Sequence, residues 1–198
     1  PAETAWRQYL ANTTPPRRGM PPDDTYYGFD LDYGDTSIFV LDTRHNRTHN
    51  YIPDGPDKYL LGPRQFAYFK NWLLRNKQRG VKWQFVASPV AFSASYNGGG
   101  DAWAGFRYQR DEIFDFVRAN DIQGVVFLSG DLHYAYAAEL QRNNSQIWEF
   151  SASPVSAFDQ SIGGLEPANP WLPEPERNDS IKWYDLGGRE GPVALMAV

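Results

Sequence analysis

The feature that most constrains this chain is an alternation of short apolar runs with stretches of helical periodicity. Residues 36–43, with Ile38, Phe39, Val40 and Leu41 in succession, predict a buried strand. Gly62-Pro63 then opens a helix, because proline is tolerated at the first helical position, where its missing N–H has no partner anyway. Phe66, Phe69 and Leu73 share one face of that helix, with Trp72 beside them, and Gly80 supplies the stop. Residues 82–88 predict a second strand, with Trp83, Phe85 and Ala87 as its apolar alternation and Pro89 ending it. Residues 107–120 predict a second helix with Ile113, Phe116 and Val117 inward, and residues 124–128 form the clearest buried strand. Two more strands are expected at 134–140 and 146–150, joined by the turn-forming Asn143-Asn144. Such a series defines a layered α/β domain with a mixed sheet, in which ligands gather where strands reach their carboxyl ends. Residues 1–35 lack periodicity and predict a loop-rich stretch with one helical turn near Ala5 to Leu10; residues 96–105 and 167–178 predict loops.

Composition narrows the function classes. A hydrophobic share of 41% in 198 residues supports a core, and 16% aromatics suits either an enzyme cleft or a sugar-binding surface. The net charge of -5, without any Lys/Arg-rich run, argues against dedicated nucleic-acid binding. An anionic substrate would therefore need local cations or a metal. Zero cysteines exclude disulfides, thiolate zinc sites and thiol nucleophiles. No apolar stretch approaches the roughly 20 residues of a transmembrane segment. The chain opens at Pro1, and residues 192–198 predict a strand right up to the last residue. The expectation is that both ends are internal to a larger protein. Asn12, Asn46, Asn143 and Asn178 each begin an N-x-S/T acceptor pattern, relevant only to a secreted eukaryotic protein.

Chemistry-bearing residues cluster after two of the strands. Asp131 and His133 are two apart, so if extended geometry continues past the strand both side chains point the same way and can serve one metal or bridge two. The alternative is that Asp131 caps a turn after Gly130 while His133 is a hydrogen-bonded core residue. Arg44 follows Asp42 at the other strand end, where its fork could clamp phosphate oxygens or form a buried ion pair with Asp42. Asp101 and Trp103 either line a cleft or order their loop. His45 and His49 fall in a polar loop and are expected to face solvent, and Arg110 to pair or cap within its helix. Ser88, Ser129 and Ser151 stand in no nucleophile-elbow pattern and are expected to be structural.

The motifs taken in order carry a family resemblance. The run from Val125 to Ser129 followed by Gly130-Asp131-Leu132-His133 resembles the last metal-binding motif of PhoD-like alkaline phosphatases and phosphodiesterases, the branch of the calcineurin-like metallophosphoesterases with GDxH in place of GHxH. Leu41-Asp42-Thr43-Arg44 with Arg47 is similar to the family's LDTR element, and Leu61-Gly62 with Gln65 to its G-x-x-Q helix start. Asp101 to Phe106 with Arg110 resembles its DxWxGY…R block, and Leu140 with Glu149 to Pro154 its closing strand and S-x-P element.

The resemblance implies part of an α/β/β/α metallophosphoesterase sandwich around a dinuclear centre, typically iron and calcium, with zinc, manganese or magnesium as alternatives. It assigns Asp131 to one ion and His133 to the other, and phosphate-ester hydrolysis, phosphodiesterase or phospholipase D-like cleavage included, to the complete site. The upstream GDxxY and Asn-containing ligand motifs have no match. Residues 1–198 are therefore expected to be the C-terminal half of one catalytic domain, inactive alone, with the N-terminal half supplied by a further segment or a separate nicked chain. A secreted, extracellular or periplasmic enzyme is expected. The competing class is a non-catalytic, aromatic-rich module that binds sugar or a protein.

Overall fold

The first helix, α1 (Pro63–Arg79), shows how local sequence and packing agree. Gly62 precedes Pro63 at its start, and Gly80 ends it at φ 72, a left-handed conformation that glycine adopts without a Cβ clash. Lys77 and Arg79 sit in the last turn, where positive charge complements the helix dipole. Its apolar side rests on the strand β2 (Thr36–Val40), with the Phe39 ring 5.2 Å from Phe69 and 5.3 Å from Trp72. The indole N–H of Trp72 donates to Ser37 Oγ at 3.0 Å, so the one polar group of that ring is satisfied in the core.

A computed structural model describes residues 4, 25–30, 34–93, 101–131, 136–142, 145–151, 179–185 and 196–197. Besides β2 it contains strands β1 (Tyr27–Asp30), β3 (Trp83–Ser88), β4 (Val125–Ser129), β5 (Tyr136–Arg142), β6 (Ser145–Ser151), β7 (Asp179–Asp185) and β8 (Met196–Ala197). The second helix is α2 (Arg107–Ala119), preceded by a 3-10 turn at Trp103–Gly105. The strands form one mixed sheet in the order β1-β2-β3-β4-β6-β5-β7-β8. β2, β3, β4 and β6 are mutually parallel, whereas β1 is antiparallel to β2, β5 to β6 and β7, and β8 to β7.

β2-α1-β3-α2-β4 is two successive crossovers in one direction, and the right-handed rule puts both helices on the same face of the sheet. Under them Phe39, Val86, Phe127 and Glu149 are matched across β2, β3, β4 and β6, and all four are fully buried. Phe92, from the loop after β3, stacks on Phe127 at 3.7 Å and meets Phe114 of α2 at 5.6 Å. Gly124 enters β4 at φ 71, where a Cβ would come within 1.9 Å of the Lys82 carbonyl oxygen; only glycine fits that approach.

Several sequence expectations need correction. In β3 the helix-covered side carries Gln84, Val86 and Ser88, while Trp83 is 51% exposed. The reason is that β3 must match β2 and β4, whose covered positions set its pleat; Gln84 is accommodated because its side-chain N–H bonds the Gln123 carbonyl at 3.0 Å. In α2 the buried apolar residues are Ile113, Phe114 and Val117, with Phe116 only partly buried. β1 lies in a segment predicted as loop, and β7 had no sequence signal, since edge-side strands draw their order from pairing. The predicted turn near residues 5–10 and the loop at 167–178 lie outside the described residues.

Candidate active site

Because β2, β3, β4 and β6 are parallel, their carboxyl ends at Val40, Ser88, Ser129 and Ser151 lie along one edge of the sheet. Two aspartates stand there, each two residues beyond a strand: Asp42 after β2 and Asp131 after β4. One strand lies between β2 and β4, so the two corners are separated by about 10 Å, two inter-strand spacings.

The Asp42 corner is organised from α1. Gln65, buried in the first turn, accepts the Asp42 N–H at 2.8 Å and donates to the Asp42 carbonyl at 2.7 Å, replacing a neighbouring strand just where β2 runs out. That leaves the Asp42 side chain to order the loop beyond it. Its Oδ1 accepts the backbone N–H groups of Arg44 at 2.8 Å and His45 at 3.1 Å, bending the chain outward. Its Oδ2 takes the Thr25 hydroxyl and lies 2.6 Å from His45 Nδ1. Burial pushes the Asp42 carboxyl upward, but the Thr25 hydroxyl, the two backbone N–H groups and the charge of His45 outweigh it and hold the carboxyl below its usual 3.8.

Arg44 therefore touches Asp42 through its backbone and not its guanidinium. The guanidinium reaches Asp101 at 3.1 Å and is half exposed, which replaces the buried Asp42–Arg44 ion pair considered from sequence. Arg47 donates to the Asp101 carbonyl at 3.4 Å, so two arginines converge on the loop that leads into α2. His45 is exposed, as expected, and is in addition paired with Asp42. His49 is exposed as expected and stacks on Tyr51 at 4.3 Å. Trp103 orders its loop: it is fully buried, packs edge-on against Phe92 at 5.3 Å and donates to Ser88 Oγ at 3.2 Å. Arg110 pairs with its neighbour Asp111 at 3.3 Å.

The Asp131 corner is organised from below. Glu149, fully buried in β6, accepts Ser129 Oγ at 2.6 Å, the Phe92 N–H at 2.7 Å and the Ser93 N–H at 2.8 Å. It thus ties the end of β4 to the loop after β3, with Ser129 in the structural role expected of it. Asp131 itself is exposed and sits at φ 73. Extended geometry consequently stops before Asp131, and the period-2 argument for a shared Asp131–His133 direction does not apply; His133 lies outside the described residues. A left-handed aspartate beside a glycine of ordinary φ is uncommon, and such strain concentrates at functional sites. The Asp131 carboxylate is a suitable hard oxygen donor for a cation. Among the described residues, however, no group of three or more His, Cys, Asp or Glu is placed to hold a metal, so any centre here needs further ligands.

Sequence reasoning missed two features. Glu149 alternates with the buried Ile147 and Ser151, and period 2 alone places it inward. For His45 the available signal was an aspartate three residues earlier at a strand end, a common start for a side-chain-capped turn.

Asp, Arg and His gathered at the carboxyl edge of the parallel strands make this a layered α/β chain with a polar strand-end site. The sequence profile described as "PhoD-like phosphatase" matches residues 1–195, and the chain belongs to that family. It is 28% identical over 151 residues to alkaline phosphatase D of Bacillus subtilis (strain 168), a match covering 63% of this chain and 25% of that protein. The solved "Structure of PhoD" superposes with a TM-score of 0.61 at 21% identity, covering 93% of this chain and 40% of that one, which shows a shared fold. The chain thus spans well under half the length of these relatives.

Proposed function

We propose that this chain is part of a metal-dependent phosphoesterase that hydrolyses phosphate mono- or diesters, with phospholipase D-like cleavage as a subclass. Membership of the PhoD-like phosphatase family is the observation that carries the reading. Asp131 and His133 contribute ligands to a dinuclear centre of the iron–calcium type, with zinc, manganese or magnesium as alternative occupants, completed by the domain's N-terminal half. Once bound, the metal supplies an activated water and positive charge at the transferring oxygens. This chain's residues do the rest at the sheet edge. Glu149 fixes the end of β4 beneath Asp131, and Gln65 fixes the end of β2 beneath Arg44. Arg44, freed from Asp101, pairs its fork with two phosphate oxygens. Exchange of Asp101 for substrate at Arg44 trades one anionic partner of the guanidinium for another. An extracellular or periplasmic site of action belongs to the same proposal.

The test is hydrolysis of p-nitrophenyl phosphate and bis-p-nitrophenyl phosphate by the full natural chain, alongside elemental analysis. His133→Ala and Asp131→Asn should each lower turnover by orders of magnitude, with bound metal reduced and the fold retained. Full turnover in both variants would reject the metal assignment. A metal-loaded wild type that hydrolyses neither ester would reject the phosphoesterase reading.

A further inference from the structure

A phosphoester whose leaving group is a simple alcohol needs a proton donor, because an alkoxide is a poor leaving group, and the sheet edge carries a group built for that task. The geometry points to His45, held by Asp42, as the acid that protonates the leaving oxygen during ester cleavage. The inference rests on the phosphoesterase reading above and adds a residue to it.

Asp42 is buried and two of its contacts are fixed donors, the backbone N–H groups of Arg44 and His45, while the Thr25 hydroxyl donates as a third. A carboxylate in that setting only accepts, so the 2.6 Å contact places a proton on His45 Nδ1. The tautomer is thereby set, and Nε2 becomes the ring atom available for proton transfer, on a side chain 39% exposed. The ring cannot drift, since Asp42 is itself pinned through its backbone by Gln65. The charged groups that the described residues bring to this corner are Asp42, Arg44 and Arg47 from its own loop and Asp101 from the loop before α2. Arg44, the residue proposed to grip the phosphate, is the immediate neighbour of His45, and Asp131 lies about 10 Å away across two strand spacings. A phosphoester gripped by Arg44 would turn its ester oxygen toward the neighbouring His45.

In the step, the water oxygen bonds to phosphorus and gives up one proton to solvent while the bond from phosphorus to the ester oxygen breaks. Its electron pair stays on the ester oxygen, which takes the Nε2 proton of the doubly protonated ring and departs as the alcohol, leaving the neutral ring with its proton on Nδ1. The imidazole then regains a proton from solvent, so the sum is ester plus water giving alcohol plus phosphate.

The experiment compares His45→Asn with wild type in the full natural chain on two substrates: p-nitrophenyl phosphate, whose leaving group needs no proton, and an unactivated alkyl phosphate. Loss of a general acid should cut kcat on the alkyl ester about 100-fold or more while changing the aryl ester less than about 5-fold. Nitrogen NMR of the wild-type ring should show Nδ1 protonated, and Asp42→Asn should release that tautomer. An equal loss on both esters, no loss on either, or an unprotonated Nδ1 overturns the inference while an active wild type leaves the phosphoesterase reading standing. A wild type inactive on both esters overturns the two together.

Discussion

Asp42 and Asp131 occupy matching places, two residues beyond parallel strands at one edge of the sheet, yet the chain treats them in opposite ways. Asp42 is buried, and both its oxygens are engaged by Thr25, Arg44 and His45. Asp131 is exposed in a left-handed conformation, and the rigidity of its corner comes from a different carboxylate, Glu149, one strand away. Position at a strand end therefore does not tell a carboxylate tied into the fold from one left exposed. What distinguishes them is how many local donors the surrounding loops bring.

Mutations in the two corners can break or sharpen that contrast. The largest effect is expected from Glu149→Ala, which strands Ser129, the Phe92 N–H and the Ser93 N–H without a buried acceptor. It should cost about 3–5 kcal/mol in denaturant unfolding, comparable to breaking a buried charged pair. A cost below that of any surface change would mean the Asp131 corner is not braced from β6.

Asp42→Ala comes next, at about 2–3 kcal/mol, because two backbone N–H groups and His45 lose their acceptor. This contribution has a definite pH dependence. The folded carboxyl is held below its unfolded value near 3.8, so its stabilisation is present above that value and is lost as pH falls through the lower folded one. Acid titration of unfolding should show wild type and Asp42→Ala converging below pH 3.8; parallel curves would contradict the assigned role.

Asp131→Gly should have the smallest effect on stability and the opposite sign, a gain of roughly 0.5 kcal/mol, since glycine adopts φ 73 without strain. Thermal melts read this directly, and a clear loss would show that Asp131, like Asp42, is tied into the fold. Under the proposed function the same variant loses activity by orders of magnitude, so stability and turnover should separate at Asp131 and fall together at Asp42.

Much of the central architecture is legible in the sequence. The runs around Phe39, Val86 and Phe127 and the Gly62-Pro63 and Gly80 signals mark the elements within about three residues, because periodicity and capping are local properties. The face of β3 is not legible there. Trp83 is the larger apolar residue, yet register with β2 and β4 exposes it and covers Gln84 instead. The site divides along the same line. Asp131 and Arg44 stand out through short motifs, whereas the Arg44–Asp101 contact joins residues 57 apart in sequence and the Glu149 hydrogen bond to Phe92 spans 57 as well.

The amino-acid order alone determined which of the central stretches from β2 to β4 are helical or extended, and that charged groups would collect after β2 and β4. Those properties depend on side-chain periodicity and backbone preferences within a few residues. Only the tertiary structure decided which of the gathered groups are occupied with one another. Asp42 took His45 and left Arg44 to Asp101, and Glu149 became the anchor beneath Asp131. Hydrogen-bond partners are chosen by distance in space, and distance between strand ends is set by sheet register, which no local pattern encodes.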